Sequence, residues 1–188
     1  TIAHEHSSRA NAPSTRCDYR ARSGIIIHKM KIATWNVNSL KVRLPHLLDW
    51  LAARQPDVLC LQETKLEDRA FPFADFEAAG YRASHHGQKT YNGVAILARQ
   101  DGQDVVRNIP DFDDPQARVI AATVETPQGP LRVRNGYFVN GQAPGTDKFA
   151  YKLEWLAALQ DWLRDELAAH PRLALVGDFN IAPEDRDS

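Results

Sequence analysis

Polar side chains able to bind a cation or a phosphate follow apolar stretches at four points of the sequence. The four segments are Asn36-Val37-Asn38, Gln62-Glu63-Thr64-Lys65, Asn135-Gly136-Tyr137 and Gly177-Asp178-Phe179-Asn180. Ligands of α/β proteins usually bind where strands end, so the four segments are candidates for one site. Taken alone, a polar residue after a strand is more often a turn former or a helix cap, and only the combination is informative.

Two carboxylates within these segments need an explanation, because a buried carboxylate must be paired or must hold a metal. Glu63 directly follows the apolar run VLCLQ, and Asp178 follows the run LALVG. Lys65 is a candidate ion-pair partner for Glu63, and Arg172 or Arg186 is a candidate partner for Asp178. Ion pairing and metal binding therefore remain alternative explanations for both carboxylates.

The set as a whole favours a metal that prefers oxygen ligands. It combines two carboxylates, several amides and the hydroxyl of Tyr137, and it contains no cysteine and no histidine pair at the spacing of a zinc site. Such ligands bind Mg²⁺ or Mn²⁺ rather than zinc, and Mg²⁺ typically takes one or two carboxylates and leaves other positions to water and phosphate. The chemistry implied is metal-assisted attack on a phosphate ester.

The spacing of apolar residues predicts three helices around these segments. The first covers residues 44–51, with Pro45 in its first turn, and a short one is predicted at 73–79. The longest covers residues 146–169 and ends before Pro171. Its apolar stripe is predicted at Leu153, Leu156, Leu163 and Leu167, widened by Leu159, Trp155 and Trp162. Both tryptophans are expected in the core rather than stacked on nucleic-acid bases.

Seven strands are predicted at apolar or alternating stretches. In chain order they are MKIATWN, DVLCLQE, YRASHHG, GVAILAR, ARVIAATVET, LRVRNGYF and RLALVGD, with Asn92-Gly93 and PQGP as turn signals. Strands both alternate with helices and pair in hairpins, so the sequence predicts an α/β or α+β fold with mixed sheets.

Composition restricts the class of partner. The net charge of −1 divides into about +3 for residues 1–30 and about −4 for the rest, so nucleic-acid binding would depend on local basic groups. No run approaches the roughly 20 apolar residues of a membrane helix, and no membrane partner is expected. Cys17 and Cys60 form no metal or disulfide pattern, which favours a reducing, cytoplasmic setting with Cys60 as a buried free thiol.

Five motifs resemble the exonuclease III family of apurinic/apyrimidinic endonucleases, within the DNase I-like endonuclease/exonuclease/phosphatase superfamily. They are KIATWNVNSL, PDVLCLQETK, HHGQKTYNGVAIL, NGYF and GDFNIAP, in this order from about Met30 onward. LQETK or GDFN alone indicates only the superfamily, whereas HGQK with GVAIL and NGYF narrows it to the DNA-repair branch. The resemblance implies a four-layer α/β sandwich of two mixed sheets flanked by helices. It also implies a monomeric nuclease that uses Mg²⁺, or Mn²⁺ in its place, to cut double-stranded DNA 5′ to abasic sites and to trim 3′ ends.

The resemblance also assigns roles to the polar residues. Glu63 resembles the family's metal-binding glutamate, and Asn36 the asparagine that supports that metal and Asp178. Tyr137 matches the tyrosine that contacts the scissile phosphate. Asp178 matches the aspartate that handles a proton of the attacking water or of the leaving oxygen, and Asn180 matches the amide that binds the phosphate.

Five further residues are candidates for metal support or DNA contact. Asn38 stands where some relatives carry an aspartate metal ligand. Arg118 resembles a basic residue that touches the DNA backbone. His86 is predicted to lie in a loop, where it shapes the turn or touches DNA rather than acting as a general base. Lys65 and Lys89 are candidate phosphate contacts, with a solvated surface charge as the alternative for each cation.

The two ends of the chain carry separate expectations. Residues 1–29 are polar and irregular, so we expect a disordered extension before a domain over residues 30–188. The family's motifs continue past GDFN to an aspartate in an R-I-D type motif and a final Asp-His pair. No histidine follows His170, so we expect a C-terminally truncated domain with an incomplete second half and without activity as given. Another phosphoesterase of the superfamily and a non-catalytic DNA-binding fragment remain alternative functions.

Overall fold

Two four-stranded sheets packed face to face form the centre of the computed structural model, which describes residues 29–181. The elements are β1 (Ile32–Asn36), α1 (Leu40–Arg54), β2 (Val58–Gln62), α2 (Phe73–Ala78), β3 (Arg82–His86), β4 (Val94–Ala98), β5 (Gln103–Arg107), β6 (Val119–Val124), β7 (Leu131–Tyr137), α3 (Asp147–Ala169) and β8 (Leu173–Asp178). The predicted disorder of residues 1–29 falls, except for Lys29, outside the described residues, and so does Arg186.

The first sheet is mixed and has the order β1-β2-β4-β3. β1 and β2 are parallel, whereas β4 runs antiparallel to both β2 and β3. The turn predicted at Asn92-Gly93 is present, with φ of 51° at Asn92 and 90° at Gly93. Every residue of β2 and β4 is buried, as expected for strands covered on both faces.

The second sheet is also mixed and has the order β5-β6-β7-β8. β6 and β7 form the predicted hairpin around PQGP, and β8 joins β7 in parallel. The sequence did not predict β5, because its residues QDVVR are largely polar and three of the five are exposed. A strand at the edge of a sheet needs little apolar sequence, so the alternation that identifies strands is weak there.

The layers confirm the predicted four-layer α/β sandwich of two mixed sheets flanked by helices. Residues of β2 and β4 pack against residues of β6 and β7 between the sheets, and the free thiol of Cys60 is buried there as predicted. α1 and α2 cover the outer face of the first sheet, and α3 covers the second. Among residues 29–181 no helix combines the length and the apolar character that a membrane span requires.

Helix α1 begins four residues before its predicted start, so the placement of Pro45 in the first turn is wrong. The backbone N–H groups of Ser39 and Leu40 donate to the carbonyl oxygens of Glu63 and Thr64, at 2.8 and 3.0 Å. These bonds fix the entry into the helix before its leucine pattern starts. Residues distant in sequence therefore set the start of α1, which a local pattern does not reveal.

Helix α3 has the predicted length and packs against the core with most of the predicted apolar stripe. The side chain of Thr146 caps its first turn by accepting a hydrogen bond from the backbone N–H of Phe149 at 3.2 Å. Trp155 and Leu159 are the buried residues of the helix, and Trp155 packs edge-on against the ring of Phe138. The two ends of the predicted stripe are exposed, Leu153 to 53% and Leu167 to 55%. The prediction that Trp155 and Trp162 belong to the core is confirmed.

Candidate active site

The carboxyl ends of two parallel strand pairs, one from each sheet, meet at one edge of the sandwich. β1 and β2 end in register at Asn36 and Gln62, and β7 and β8 end in register at Tyr137 and Asp178. Glu63 directly follows β2. The parallel pairing therefore gathers the four polar segments, which are far apart along the chain, at a single place.

The side chain of Asn36 joins the two sheets at this edge. Its Nδ2 atom donates to Oε1 of Glu63 at 2.8 Å and to Oδ2 of Asp178 at 2.7 Å. Its Oδ1 atom accepts from the backbone N–H of Asn38 at 3.0 Å. Because both N–H groups and the oxygen of the amide are engaged, the orientation of Asn36 is fixed, and the two carboxylates are fixed relative to each other.

Glu63 accepts hydrogen bonds from three neighbouring side chains. Lys65 Nζ lies 3.0 Å from Oε2, so the ion pair that the sequence left open is present. Burial acts to raise the pKa of Glu63, but hydrogen bonds from Asn36, Lys65 and Tyr137 outweigh burial and hold the pKa below its usual value. Glu63 is therefore a carboxylate at neutral pH, as a metal ligand must be.

Tyr137 lies between Glu63 and Arg118. Burial and the neighbouring charge and hydrogen bond of Glu63 raise the pKa of Tyr137 to about 12, so its hydroxyl stays protonated and donates. The guanidinium of Arg118 lies over the tyrosine ring, 5.1 Å from its centroid, and donates to the backbone carbonyl of Tyr137 at 3.2 Å. Arg118 is thus attached to the edge of the site.

Within residues 29–181, Asp178 is held by amide groups rather than by an arginine. Its Oδ1 atom accepts from the backbone N–H of Asn180 at 3.1 Å, and its Oδ2 atom accepts from the bridging amide of Asn36. Arg172, one candidate partner, instead donates to backbone carbonyls of the turn between β6 and β7. An ion pair between Asp178 and Arg172 is therefore wrong as an explanation.

The GDFN segment takes its shape from left-handed backbone. At Gly177 φ is 146°, and a Cβ atom there would lie 1.9 Å from the carbonyl oxygen of Gly136, so that only glycine fits. Asn180 has φ of 48°. Its Nδ2 atom donates to the carbonyl of Phe138 at 2.9 Å, and its carbonyl accepts from Nζ of Lys152 at 3.0 Å. These contacts fix the position of the Asn180 amide beside Asp178.

A buried layer of amide side chains lies directly beneath the site. Nε2 of Gln62 donates to Oδ1 of Asn135 at 2.6 Å and to Oγ1 of Thr34 at 2.9 Å. Nδ2 of Asn135 donates in turn to the backbone carbonyls of Leu61 and Ala95, at 2.7 and 2.8 Å. The sequence grouped Gln62 and Asn135 with the candidate site, but their role is to join the two sheets. In a sequence, such residues can be recognised as polar side chains at core-facing positions of otherwise apolar strands.

The residues predicted to contact DNA differ in accessibility. Lys89 is exposed in the loop between β3 and β4. Lys65 also donates to Oδ1 of Asn38, so Asn38 contacts the lysine rather than a carboxylate. His86 is the half-buried last residue of β3, and burial lowers its pKa. The predicted loop position of His86 is wrong, because the pairing of β3 with β4 extends through it.

The donors at this edge fit a hard divalent cation. Glu63 and Asp178 supply carboxylate oxygens and Lys65 supplies one positive charge, so the three residues leave one negative charge in excess. Within residues 29–181 no group of three or more histidine, cysteine, aspartate or glutamate side chains comes together. Mg²⁺ and Mn²⁺ accept such a set, because they keep water and substrate phosphate as their remaining ligands.

The chain is similar to known proteins both in sequence and in fold. The sequence profile described as the endonuclease/exonuclease/phosphatase family matches residues 33–188. Exodeoxyribonuclease III of Haemophilus influenzae is 42% identical over 161 residues, which make up 84% of this chain and 60% of that protein. The sequence resemblance and the observed sheets therefore agree.

Two solved structures have a similar fold. The 3′ phosphatase NExo from Neisseria, bound to a product DNA hairpin, superposes with a TM-score of 0.79 at 52% identity, covering 84% of this chain and 60% of that one. An AP endonuclease from Archaeoglobus fulgidus superposes with a TM-score of 0.77 at 37% identity, with the same two coverages. The chain thus spans about 60% of the length of these relatives.

Proposed function

We propose, since the chain belongs to the endonuclease/exonuclease/phosphatase family, that the protein is a metal-dependent DNA-repair nuclease of the exodeoxyribonuclease III type. It would hydrolyse phosphodiester bonds 5′ to abasic sites and trim 3′ ends of duplex DNA. The observation that carries this proposal is the amide of Asn36, which holds Glu63 and Asp178 together across the two sheets.

Glu63 would hold Mg²⁺, or Mn²⁺ in its place, with Asn36 keeping the carboxylate in one orientation and Asn38 as a candidate support. The cation would supply Lewis-acid stabilisation of the charge that develops on the phosphate. Tyr137 keeps its proton and donates to Glu63, which makes it suitable to donate to a phosphate oxygen as well.

Asp178 has the chemistry of the residue that handles a proton. A carboxylate only accepts, so beside a phosphate it acts on a water molecule or on the leaving 3′ oxygen. Asn180 is suited to bind the phosphate, because its amide nitrogen carries two N–H groups and the contact with Phe138 orients them. Neutral donors approach an anionic substrate without charge repulsion.

The substrate assignment rests on the relatives and on the cations around the edge. The relatives are named as an exodeoxyribonuclease, a 3′ phosphatase solved with a DNA hairpin and an AP endonuclease. Lys65, Lys89, Arg118 and His86 are the side chains we assign to phosphate contacts. We further propose a monomeric protein that acts in the cytoplasm.

The test uses the full-length gene product that contains this chain and a duplex with one abasic site. Glu63→Gln keeps the shape of the side chain and removes its charge. We expect the nicking rate to fall by about 10²-fold and the required Mg²⁺ concentration to rise, because a positioned charge in the transition state is lost. Glu67→Gln is the matched control, since Glu67 lies in the same connection and pairs only with Arg69 among the described residues.

A substrate panel decides between the proposal and its alternatives. Duplexes with an abasic site or a 3′ phosphate should be cut, and inositol phosphates should not. Hydrolysis of the inositol phosphates alone would identify another phosphoesterase of the family. Tight DNA binding without any hydrolysis by the full-length protein would identify a non-catalytic binding module.

A further inference from the structure

Two residues of the candidate site have a backbone conformation that side chains disfavour. Glu63 and Lys65 have φ of 54° and 55°, in the left-handed region, and Thr64 lies between them. A non-glycine residue in this region costs free energy and persists where its surroundings determine the conformation. The directions of the Glu63 carboxylate and of the Lys65 ammonium therefore depend on what holds Thr64.

Thr64 is completely buried and is held on two sides. Its backbone N–H donates to the carbonyl of Gly93 at 3.1 Å, and the next N–H, of Lys65, donates to the carbonyl of Asn92 at 2.9 Å. Its Oγ1 atom lies 2.9 Å from Nε2 of His85. A Cβ atom at Gly93 would lie 2.1 Å from this Oγ1, so the glycine leaves the space that the threonine hydroxyl needs.

His85 is buried as well, and it links Thr64 to Asp68. Its Nδ1 atom lies 2.8 Å from Oδ1 of Asp68, and its ring stacks on Phe71 at a centroid distance of 4.1 Å. Burial lowers the pKa of His85 to about 4, although the charge of Asp68 opposes this, so the ring is neutral at neutral pH. A neutral ring has one N–H group. Nδ1 is the nitrogen that lies beside the Asp68 carboxylate, and we assign the proton to it, which leaves Nε2 to accept from the hydroxyl of Thr64.

The series Asp68, His85, Thr64 has the order of groups found in hydrolases that use a hydroxyl nucleophile, but it cannot serve that purpose here. Thr64 and His85 are 0% and 1% exposed, so no substrate atom reaches either of them. The series is connected to the candidate site through the backbone of Thr64, which continues directly into Glu63 and Lys65.

We propose that His85 and Asp68 are positioning residues, which hold Thr64 and thereby keep Glu63 and Lys65 in the left-handed conformation that directs both side chains into the site. The inference rests on the proposed function for its catalytic consequence. The contacts themselves do not depend on that function. Asp68 adds to the effect by accepting a second hydrogen bond from the backbone N–H of Gly87 at 3.0 Å, which anchors the carboxylate that orients the ring.

The experiment compares three variants of the full-length protein. His85→Phe keeps a stacked ring and removes both nitrogens, Thr64→Val removes the hydroxyl at nearly constant shape, and His85→Gln restores an acceptor for that hydroxyl. Tyr81→Phe is the matched control, because Tyr81 directly precedes the same strand and makes a buried hydrogen bond to the carbonyl of Pro56. All variants are corrected for their folded fraction.

Three measurements are made. Mn²⁺ affinity is measured by electron paramagnetic resonance, kcat and KM on the abasic duplex, and hydrogen exchange at the amides of Thr64 and Lys65 by NMR. We expect His85→Phe and Thr64→Val each to weaken Mn²⁺ binding by about 10-fold and to lower kcat more than they raise KM. We expect their double variant to be no worse than the more impaired single variant, because both remove one contact. His85→Gln should recover most of the Mn²⁺ affinity, and Tyr81→Phe should change only the melting temperature.

Equal Mn²⁺ affinity, kcat and amide exchange in His85→Phe and Tyr81→Phe would overturn the inference, since His85 would then contribute only to stability. A wild-type protein that neither binds Mn²⁺ nor nicks DNA would refute the proposed function instead. In that case faster exchange at Thr64 and Lys65 in His85→Phe would still support the positioning role, and unchanged exchange would overturn it.

Discussion

Two clusters of charged residues join layers of this molecule, and they differ in the sign of their excess charge. At the strand ends, the first cluster consists of Glu63, Asp178 and Lys65, and Arg118 lies beside it over the ring of Tyr137. Beneath α3, Arg132 and Arg134 of β7 share the single carboxylate Glu166, and Arg132 Nε lies 2.7 Å from Oε2 of Glu166. The first cluster therefore has one negative charge in excess, and the second has one positive charge in excess.

Protein groups compensate the excess charge of the cluster beneath α3. Arg132 Nη1 donates to the backbone carbonyl of Asp104 at 2.7 Å, and the guanidinium of Arg134 lies 3.2 Å from the centroid of the Trp162 ring. Burial lowers the pKa of Arg134 to about 10, although Glu166 opposes this. The two arginines are 2% and 0% exposed, so both cations are sealed from solvent, whereas the Glu166 side chain is 13% exposed.

The cluster at the strand ends is partly open, with the Glu63 side chain 18% exposed. Its carboxylates are held in place by the uncharged amide of Asn36, and Lys65 pairs with only one of them, so the fold orients both carboxylates and neutralises one. An excess charge that is surrounded by protein groups stabilises the contact between a helix and a sheet. An excess charge that is oriented but left facing solvent is suited to bind a counter-charge from solution, which here would be a divalent cation.

The largest effect is expected from Asp178→Asn in the open cluster. The variant keeps an oxygen to accept from Asn36 but loses the ability to take a proton, so we expect kcat to fall by about 10³-fold with little change in KM or melting temperature. Single-turnover cleavage of an abasic duplex measures the change. Asp165→Asn, on the exposed face of α3, is the control. A loss of stability with unchanged turnover would show instead that Asp178 stabilises the fold and takes no part in the reaction.

The next largest effect is expected from Glu166→Gln in the cluster beneath α3, and it should fall on stability alone. Two buried arginines lose their counter-charge, which typically costs about 3 kcal/mol of unfolding free energy. Urea denaturation measures this loss, and the nicking rate per folded molecule should not change. Glu154→Gln, exposed on the same helix, should leave the unfolding free energy within about 0.5 kcal/mol of wild type. Unchanged stability in Glu166→Gln would show that the cluster beneath α3 does not stabilise the fold, contrary to the difference drawn between the two clusters.

A smaller effect is expected from Tyr137→Phe. The hydroxyl is one of three donors to Glu63, and a hydrogen bond to a charged group is worth about 1.5 kcal/mol or more. We therefore expect a fall of about 10-fold in kcat, together with a rise in the pKa of Glu63. The pH dependence of Mn²⁺ binding measures that pKa, and Tyr81→Phe is the control. An unchanged pH dependence of Mn²⁺ binding in Tyr137→Phe would show that the Tyr137 hydroxyl does not lower the pKa of Glu63.

The smallest effect concerns the pH dependence of stability. Burial acts to raise the pKa of Glu166, but its contacts with Arg132 and Arg134 outweigh burial and lower it. A carboxylate with a lowered folded-state pKa stabilises the protein above its unfolded-state pKa, and this contribution is lost as the pH falls through the folded-state value. Glu166→Gln should therefore flatten part of the decline in melting temperature as the pH falls below the unfolded-state pKa of a glutamate, about 4.3. The same decline in melting temperature with falling pH in both proteins would contradict the lowered pKa of Glu166.

The sequence predicted seven of the eight strands found in residues 29–181, because apolar runs identify strands that are buried on both faces. It missed β5, whose exposed edge position needs no such run, and it misplaced the start of α1, which is set by backbone bonds to Glu63 and Thr64. The stripe of α3 is shorter than predicted, because Leu153 and Leu167 at its two ends are exposed. Local patterns predict that an element exists, whereas partners distant in sequence decide its limits and its buried face.

Prediction of the site had the same limit, because residue types were informative and contacts between distant segments were not. Residue types and the family resemblance identified Asn36, Glu63, Tyr137, Asp178 and Asn180, and the structure brings all five to one edge. The family resemblance implied that Asn36 supports Asp178, whereas the residue types alone did not predict its hydrogen bonds to both carboxylates, since those bonds require the two sheets to be packed. The buried residues that support the loop were also missed, because a histidine within a strand has no distinctive local pattern.

The bond between Asn36 and Asp178 joins two segments that the ribosome synthesises at different times. The first sheet is drawn from residues 32–98 and the second from residues 103–178, so each is assembled from a continuous stretch of chain. Asn36 and Asp178 are 142 residues apart, and at ribosomal speeds several seconds separate their emergence. Glu63 and Lys65 are therefore synthesised before the second carboxylate exists. The bonds of Asn36 to both carboxylates form only once the two sheets have docked.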